Sequence, residues 1–149
     1  MTPDDWKTVI DTNLNSMFNV TKQVVPGMVD KGWGRIIQIS SVNGEKGQAG
    51  QTNYSAAKAG VLGLAKAMAR EFGPDGIRVN CITPGLIQTD ITGDKLTDEM
   101  RKDIIKGIPL SRLGDAADVA GCYLFLASDL SAYVTGAVID VNGGMLIHG

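Results

Sequence analysis

Three short apolar runs, at 35–40, 77–83 and 137–141, are each separated from the next by far more residues than a hairpin turn needs. Ile36, Ile37 and Ile39 mark the first, Ile77, Val79, Cys81 and Ile82 the second, and Val138, Ile139 and Val141 the third. Helical spacing fills the gaps. Thr2-Pro3-Asp4-Asp5 reads as a helix start: a hydroxyl cap, proline in the first turn, then carboxylates at the positive end of the dipole. Trp6, Val9, Ile10, Leu14, Met17, Phe18, Val24, Val25 and Met28 continue it as one amphipathic helix over 3–30, closed by Gly32 and Gly34. A second helix spans 52–72 and stops at Gly73-Pro74. A short one is expected near 97–105, and Asp115 caps another through Val119, Tyr123, Leu124 and Leu126. Strands alternating with long helices build βαβ units. The pattern predicts an α/β chain with a three-stranded parallel sheet, its strands neighbouring in chain order.

The remaining composition excludes more than it proposes. The 149 residues carry a net charge of -2 with no basic cluster, which argues against nucleic acid and anionic membrane as partners. No apolar stretch approaches the length of a membrane span, and the acidic N-terminus is unlike a signal peptide. Two cysteines without an export signal point to a reducing compartment, the cytoplasm. Cys81 and Cys122 read as buried free thiols, a disulfide or metal pair being the alternative. No ligand cluster suggests a metal. The single histidine, His148, stands next to last, which sets aside a histidine-based triad.

In an open parallel sheet, ligands bind beyond the carboxyl ends of the strands. That rule points to Ser40-Ser41, to Pro84-Gly85 and to Asn142-Gly143-Gly144. Between the first two, Tyr54 and Lys58 open a helix four residues apart, so phenol and ammonium share a face. A free tyrosine ionises near pH 10, and a neighbouring cation favours its phenolate. A tyrosine so placed can give a proton to a carbonyl oxygen or take one from an alcohol. Ser41 is positioned to hydrogen-bond the same oxygen. By itself the Tyr-x-x-x-Lys spacing is more often a solvated surface pair, and its place between a strand ending in Ser-Ser and one ending in Pro-Gly reverses that balance.

With Ile39-Ser40-Ser41, Tyr54-x-x-x-Lys58, Asn80-x-x-x-Pro84-Gly85, Thr12-Asn13-Leu14, Gly136 and Asn142-Gly143-Gly144 in order, the whole chain resembles the short-chain dehydrogenase/reductase family. The resemblance implies a catalytic set of Asn13, Ser41, Tyr54 and Lys58. Tyr54 would be the acid/base and Ser41 the donor that orients the carbonyl. Lys58 would modulate Tyr54 and hold the nicotinamide ribose. Asn13 would support a water-mediated proton relay, where its plain reading is a polar residue that bends the helix. The cofactor is NAD or NADP, met by Tyr54, Lys58 and the backbone of Pro84, Gly85 and Ile87, with Thr89 near the phosphates. Residues 88–107 would form a substrate lid, or else an ordinary surface insertion.

The resemblance also implies a Rossmann-like doubly wound sheet of which this chain is the C-terminal part, a single partial domain over 1–149. The glycine-rich turn that receives the pyrophosphate is not among these residues, since Gly44 to Gly50 lacks the G-x-G-x-x-G spacing and reads as a loop toward Tyr54. The expectation is a fragment, an internally started product or a natural truncation that does not turn over substrate alone. The loop from Val42 to Tyr54 is most similar to acetoacetyl-CoA and 3-oxoacyl-carrier-protein reductases. Gln48 and Gln51 are then substrate contacts or plain polar loop residues, and Ala49 replaces a bulkier side chain. A polyol or sugar-alcohol dehydrogenase and a non-catalytic interaction module are the alternatives. In the family, the helices 3–30 and 52–72 form the subunit contact, which implies a homo-oligomer carrying Trp6, Met17, Phe18, Met68 and Phe72 on those helices.

Overall fold

The computed structural model describes residues 1–89 and 96–148. The strands are β1 (Gly34–Ile39), β2 (Ile77–Pro84) and β3 (Val138–Val141), parallel and ordered β1-β2-β3. The register sets Ile36 beside Val79, and Ile82 beside Ile139. Helices cover both faces, as a parallel sheet requires. On one face, Ile36, Ile77, Val79 and Cys81 pack with Val25 of α2 (Ser16–Lys31) and with Val61, Ala65, Met68 and Ala69 of α4 (Thr52–Phe72). The helix Ala116–Ala127, here α6, packs over the other. Val79, Cys81 and Ile82 are fully buried. Met68 belongs to this core, and Met17 and Phe72 pack against it, half-buried. Among the described residues, no helix is long and apolar enough to cross a membrane.

The first helix differs from one continuous rod. It is α1 (Pro3–Ile10), a π-helical turn (Asp11–Asn15), then α2. The local side chains supply a reason. Asn13 Nδ2 donates to the Val9 carbonyl at 3.1 Å, and Ser16 Oγ donates to the Thr12 carbonyl at 2.6 Å. Side chains that bond back to the preceding turn compete with the regular backbone ladder and widen it. The N-terminus follows the sequence closely: Thr2 and Asp5 form a capping box, and Gly32 closes α2 with φ 60°.

The glycine-rich segment after β1 is also not wholly a loop. Ser41 accepts from the Asn43 N–H at 3.1 Å and caps a short helix, α3 (Val42–Lys46). Gly44 is required there by contact rather than by φ. A Cβ on it would stand 2.7 Å from the Lys58 carbonyl carbon, so α3 lies directly on the first turns of α4. The polar helix expected near 97–105 is α5 (Asp98–Lys106), capped by Thr97. Helix α6 is capped by Asp115, whose carboxylate accepts from the Ala117 and Asp118 N–H groups.

Two polar residues lock the strands together. Asn80, buried, donates to the Val134 carbonyl and accepts from the Ala137 N–H, fixing the approach to β3. Arg78 donates to Ser131 Oγ at 2.9 Å and to the Ser128 carbonyl at 3.0 Å, tying β2 to the end of α6. Cys81 and Cys122 are both free thiols, the first fully buried and the second half-buried.

Candidate active site

The carboxyl ends of the strands frame a cleft of about 1340 Å³. Ser41, Asn43, Lys46, Gln48, Gln51 and Tyr54 line one wall, from the segment that joins β1 to α4. Gly85 and Leu86, just past β2, form its floor, and Leu96, Met100, Asp103, Ile104, Gly107 and Met145 complete the far side. The strand-end turns pack closely beneath it. A Cβ at Gly85 would come within 2.8 Å of Asn142 Cβ, and the Gly85 N–H donates to the Val141 carbonyl at 2.9 Å. Asn142 shapes its own turn, accepting from the Gly144 N–H at 2.9 Å.

Of the residues anticipated from sequence, Ser41, Gln48, Gln51, Tyr54 and Gly85 therefore share one space. Ser41 Oγ takes a backbone N–H from Asn43, which leaves its own hydroxyl hydrogen available to a ligand. Tyr54 is half-buried in the first turn of α4, where Asn53 Oδ1 accepts from its N–H at 2.9 Å. Lys58 is not in the cleft lining. Its side chain lies buried beneath Tyr54, with Nζ 5.6 Å from the centre of the phenol ring and donating to the Ile39 carbonyl at 3.0 Å. That carbonyl is the one hydrogen-bond partner of Nζ among the described residues. Burial holds the Lys58 ammonium below the ordinary lysine range, partly offset by the Cys81 sulfur.

Asn13 occupies the π turn, half-buried and bonded to Val9, and that turn packs against α4. Gln51 Oε1 accepts from Asn43 Nδ2 at 3.1 Å, so its amide is part of the wall as well as its surface. The Gln48 N–H donates to Ser55 Oγ at 3.2 Å, which fastens the same loop to α4. Pro84 ends β2. Ile87 bridges to Gly114 and lines a smaller neighbouring cavity of about 230 Å³ together with Leu110, Arg112, Asp118 and Asp140. Thr89 is exposed at the end of its described stretch, and residues 90–95 of the anticipated lid lie outside the described residues. Of the described residues of that lid, Leu96, Met100, Asp103, Ile104 and Gly107 line the cleft, three of them from α5.

Sequence reasoning missed Asn43, Lys46 and Met145 as lining residues. The first two were legible as a capped helical turn after Ser41. Met145 follows the Asn142-Gly143-Gly144 turn, and its N–H donates to the Asn142 carbonyl at 3.1 Å.

The enoyl-(acyl carrier protein) reductase family model matches residues 1–146. An uncharacterized short-chain type dehydrogenase/reductase of Sinorhizobium fredii is 68% identical over 146 residues, 97% of this chain and 58% of that protein. This chain belongs to the short-chain dehydrogenase/reductase family. Within the family it is 51% identical over 143 residues to the acetoacetyl-CoA reductase of Allochromatium vinosum, covering 96% of this chain and 58% of that one. It is 52% identical over 145 residues to the 3-oxoacyl-(acyl-carrier-protein) reductase of Pseudomonas aeruginosa, covering 97% and 58%. The chain thus spans well under two thirds of the length of these curated relatives.

Proposed function

We infer that the protein is an oxidoreductase that reduces the 3-oxo group of a 3-oxoacyl thioester, borne on coenzyme A or on an acyl carrier protein. The observation that carries this reading is the convergence of Ser41 and Tyr54 on one cleft, with the Lys58 ammonium buried beneath the Tyr54 ring. The lining favours the thioester over the sugar-alcohol alternative. Leu96, Met100, Ile104 and Met145 on the far side, with Leu86 on the floor, give an apolar surface suited to an acyl chain and poorly suited to a row of hydroxyls.

The residues present fit the nicotinamide end of a dinucleotide. Lys58 retains N–H donors beyond the one given to Ile39, and the Gly85-Leu86 backbone borders the same cleft as Tyr54. NADH or NADPH, when bound, supplies the hydride that reduces the carbonyl carbon. Ser41 donates its hydroxyl to the carbonyl oxygen and orients it. Tyr54 delivers a proton to that oxygen as negative charge develops on it, giving the 3-hydroxyacyl thioester. Lys58, close under the ring, favours the negative charge that proton loss leaves on Tyr54. Asn13 supports reprotonation from the π turn behind α4. The relatives named as acetoacetyl-CoA and 3-oxoacyl-carrier-protein reductases support the same substrate class. Two unpaired thiols fit a reducing compartment, the cytoplasm.

Loss of nicotinamide absorbance with acetoacetyl-CoA as substrate, using NADPH and NADH in parallel, tests the reading in a protein of the relatives' full length that carries this chain. Reduction of acetoacetyl-CoA supports it. Oxidation of a sugar alcohol with no thioester reduction would replace it with the polyol reading.

A further inference from the structure

Beside the cleft, three side chains from separate parts of the chain meet at a point the proposed reaction does not use. Glu45 comes from α3, Asp140 from β3, and His148 from the segment that follows the Asn142-Gly143-Gly144 turn. His148 Nε2 stands 3.0 Å from Glu45 Oε2 and 3.7 Å from Asp140 Oδ2. One ligand-capable atom from each residue lies within 4.8 Å of the others. The geometry points to a divalent transition-metal site, with Glu45, Asp140 and His148 as ligands and solvent in the open position.

Charge, anchoring and donor type each support this. Among the described residues, the only cationic partner of either carboxylate is the shared His148, so at most one positive charge faces two negative ones. The Glu45 side chain is only 8% exposed, so water compensates its charge poorly. A divalent ion balances the pair. The ligands are also held rather than loose. Asp140 sits on a paired strand, and its Oδ1 accepts from the Thr83 hydroxyl, which directs Oδ2 toward the imidazole. Glu45 sits on α3, pressed onto α4 at Gly44. Separations of 3.0 and 3.7 Å bracket the roughly 3.4 Å between neighbouring ligands in tetrahedral coordination at about 2.0–2.2 Å from zinc. One imidazole with two carboxylates is a mixed nitrogen and oxygen set, which suits a first-row transition ion better than magnesium. Three protein ligands leave a coordination position for water.

Such an ion would join α3 to the segment that carries Met145. Both border the cleft, so the site would act as a clasp that fixes the width of the mouth. It takes no part in the proton or hydride chemistry, and its test needs no activity.

After EDTA treatment and dialysis, the chain is titrated calorimetrically with zinc chloride and, separately, with magnesium chloride. The wild type, His148→Ala and Glu45→Gln are compared, each checked for folding by circular dichroism. The expected result is one saturable zinc site of micromolar or tighter affinity, at least tenfold weaker in both variants, with a thermal midpoint that zinc raises in the wild type alone. His148 is 57% exposed, so its replacement leaves the core intact and decides the matter even if Glu45→Gln misfolds. The two thiols remain in every variant, so zinc uptake unchanged in His148→Ala would assign binding to them and overturn the site. Absence of saturable uptake would overturn it too, and magnesium binding as tight as zinc would overturn the choice of metal.

Discussion

Ser40 Oγ donates to the carbonyl oxygen of Lys58 at 2.7 Å, and both residues are buried. With Lys58 Nζ bonded to the Ile39 carbonyl, the end of β1 grips that lysine at both its backbone and its side chain. Gly44 leans on the same peptide. Tyr54, one helical turn earlier, takes its position from this junction.

The junction should therefore be sensitive to small changes. Ser40→Ala removes one buried hydrogen bond and is expected to cost about 1 kcal/mol. Gly44→Ala forces a methyl against the Lys58 backbone and is expected to cost about 1–3 kcal/mol. Urea unfolding of both variants measures the difference. Stability equal to wild type in Gly44→Ala would mean that α3 is not seated as described.

Tyr54→Phe keeps the ring over Lys58 and removes the hydroxyl. In a protein of the relatives' full length that carries this chain, it should lower kcat for thioester reduction by about 10²–10⁴-fold, the usual contribution of a positioned acid/base. Cofactor affinity should change little, because the Lys58 amine remains. Steady-state kinetics with a parallel cofactor titration separates the two, and turnover equal to wild type would remove Tyr54 from the proton step.

The order of elements was legible because Ile36, Ile37 and Ile39, and later Val79 and Ile82, could only be strands between helical spacings. Tyr54 and Lys58 were legible for a similar reason: a four-residue interval on a helix fixes a shared face. What the interval does not contain is depth. Tyr54 reaches the cleft, while Lys58 is drawn beneath it by the Ile39 carbonyl, a partner set by packing of β1 on α4. Gly44 looked like loop flexibility and proved to be close contact. Met17, Met68 and Phe72 looked like surplus surface, yet Met68 belongs to the core and the other two pack against it. The π turn depends on the rotamers of Asn13 and Ser16, which no periodicity encodes.

Stability should decline in alkali through Cys81. Burial pushes its thiol from the ordinary 9.0 up to about 11, against smaller opposing effects of the Ser40 backbone and Lys58. Below pH 9 the thiol is protonated in both folded and unfolded chains, and it contributes no pH dependence. Between about 9 and 11 the unfolded chain releases the proton that the folded chain keeps, so stability falls as pH rises, by on the order of 2 kcal/mol. Unfolding midpoints at the two ends of that window, for wild type and Cys81→Ala, test the sign. An identical slope in the variant would assign the alkaline loss to other groups.

Association should depend on α1 and α2. Trp6 and Phe18 are 42% and 51% exposed, while the outward side of α4 carries small residues such as Ala59 and Gly63. Large side chains beside a small-residue helix suit a two-fold helix-to-helix contact. Light scattering is expected to give a homo-oligomer for wild type and a smaller species for Phe18→Glu. A monomer at high micromolar wild-type concentration would remove the contact.

The strand order β1-β2-β3 repeats the order in which the chain leaves the ribosome. Each new strand has only to find the one made before it, with no later segment required to thread between them. Closing one modest loop at a time keeps the entropic barrier to each step low. The β1-α4-β2 unit is thus equipped to gather as a nucleus before β3 is synthesised. Substitutions at its heart, such as Val61→Ala, should slow refolding, whereas those on β3 should mainly hasten unfolding.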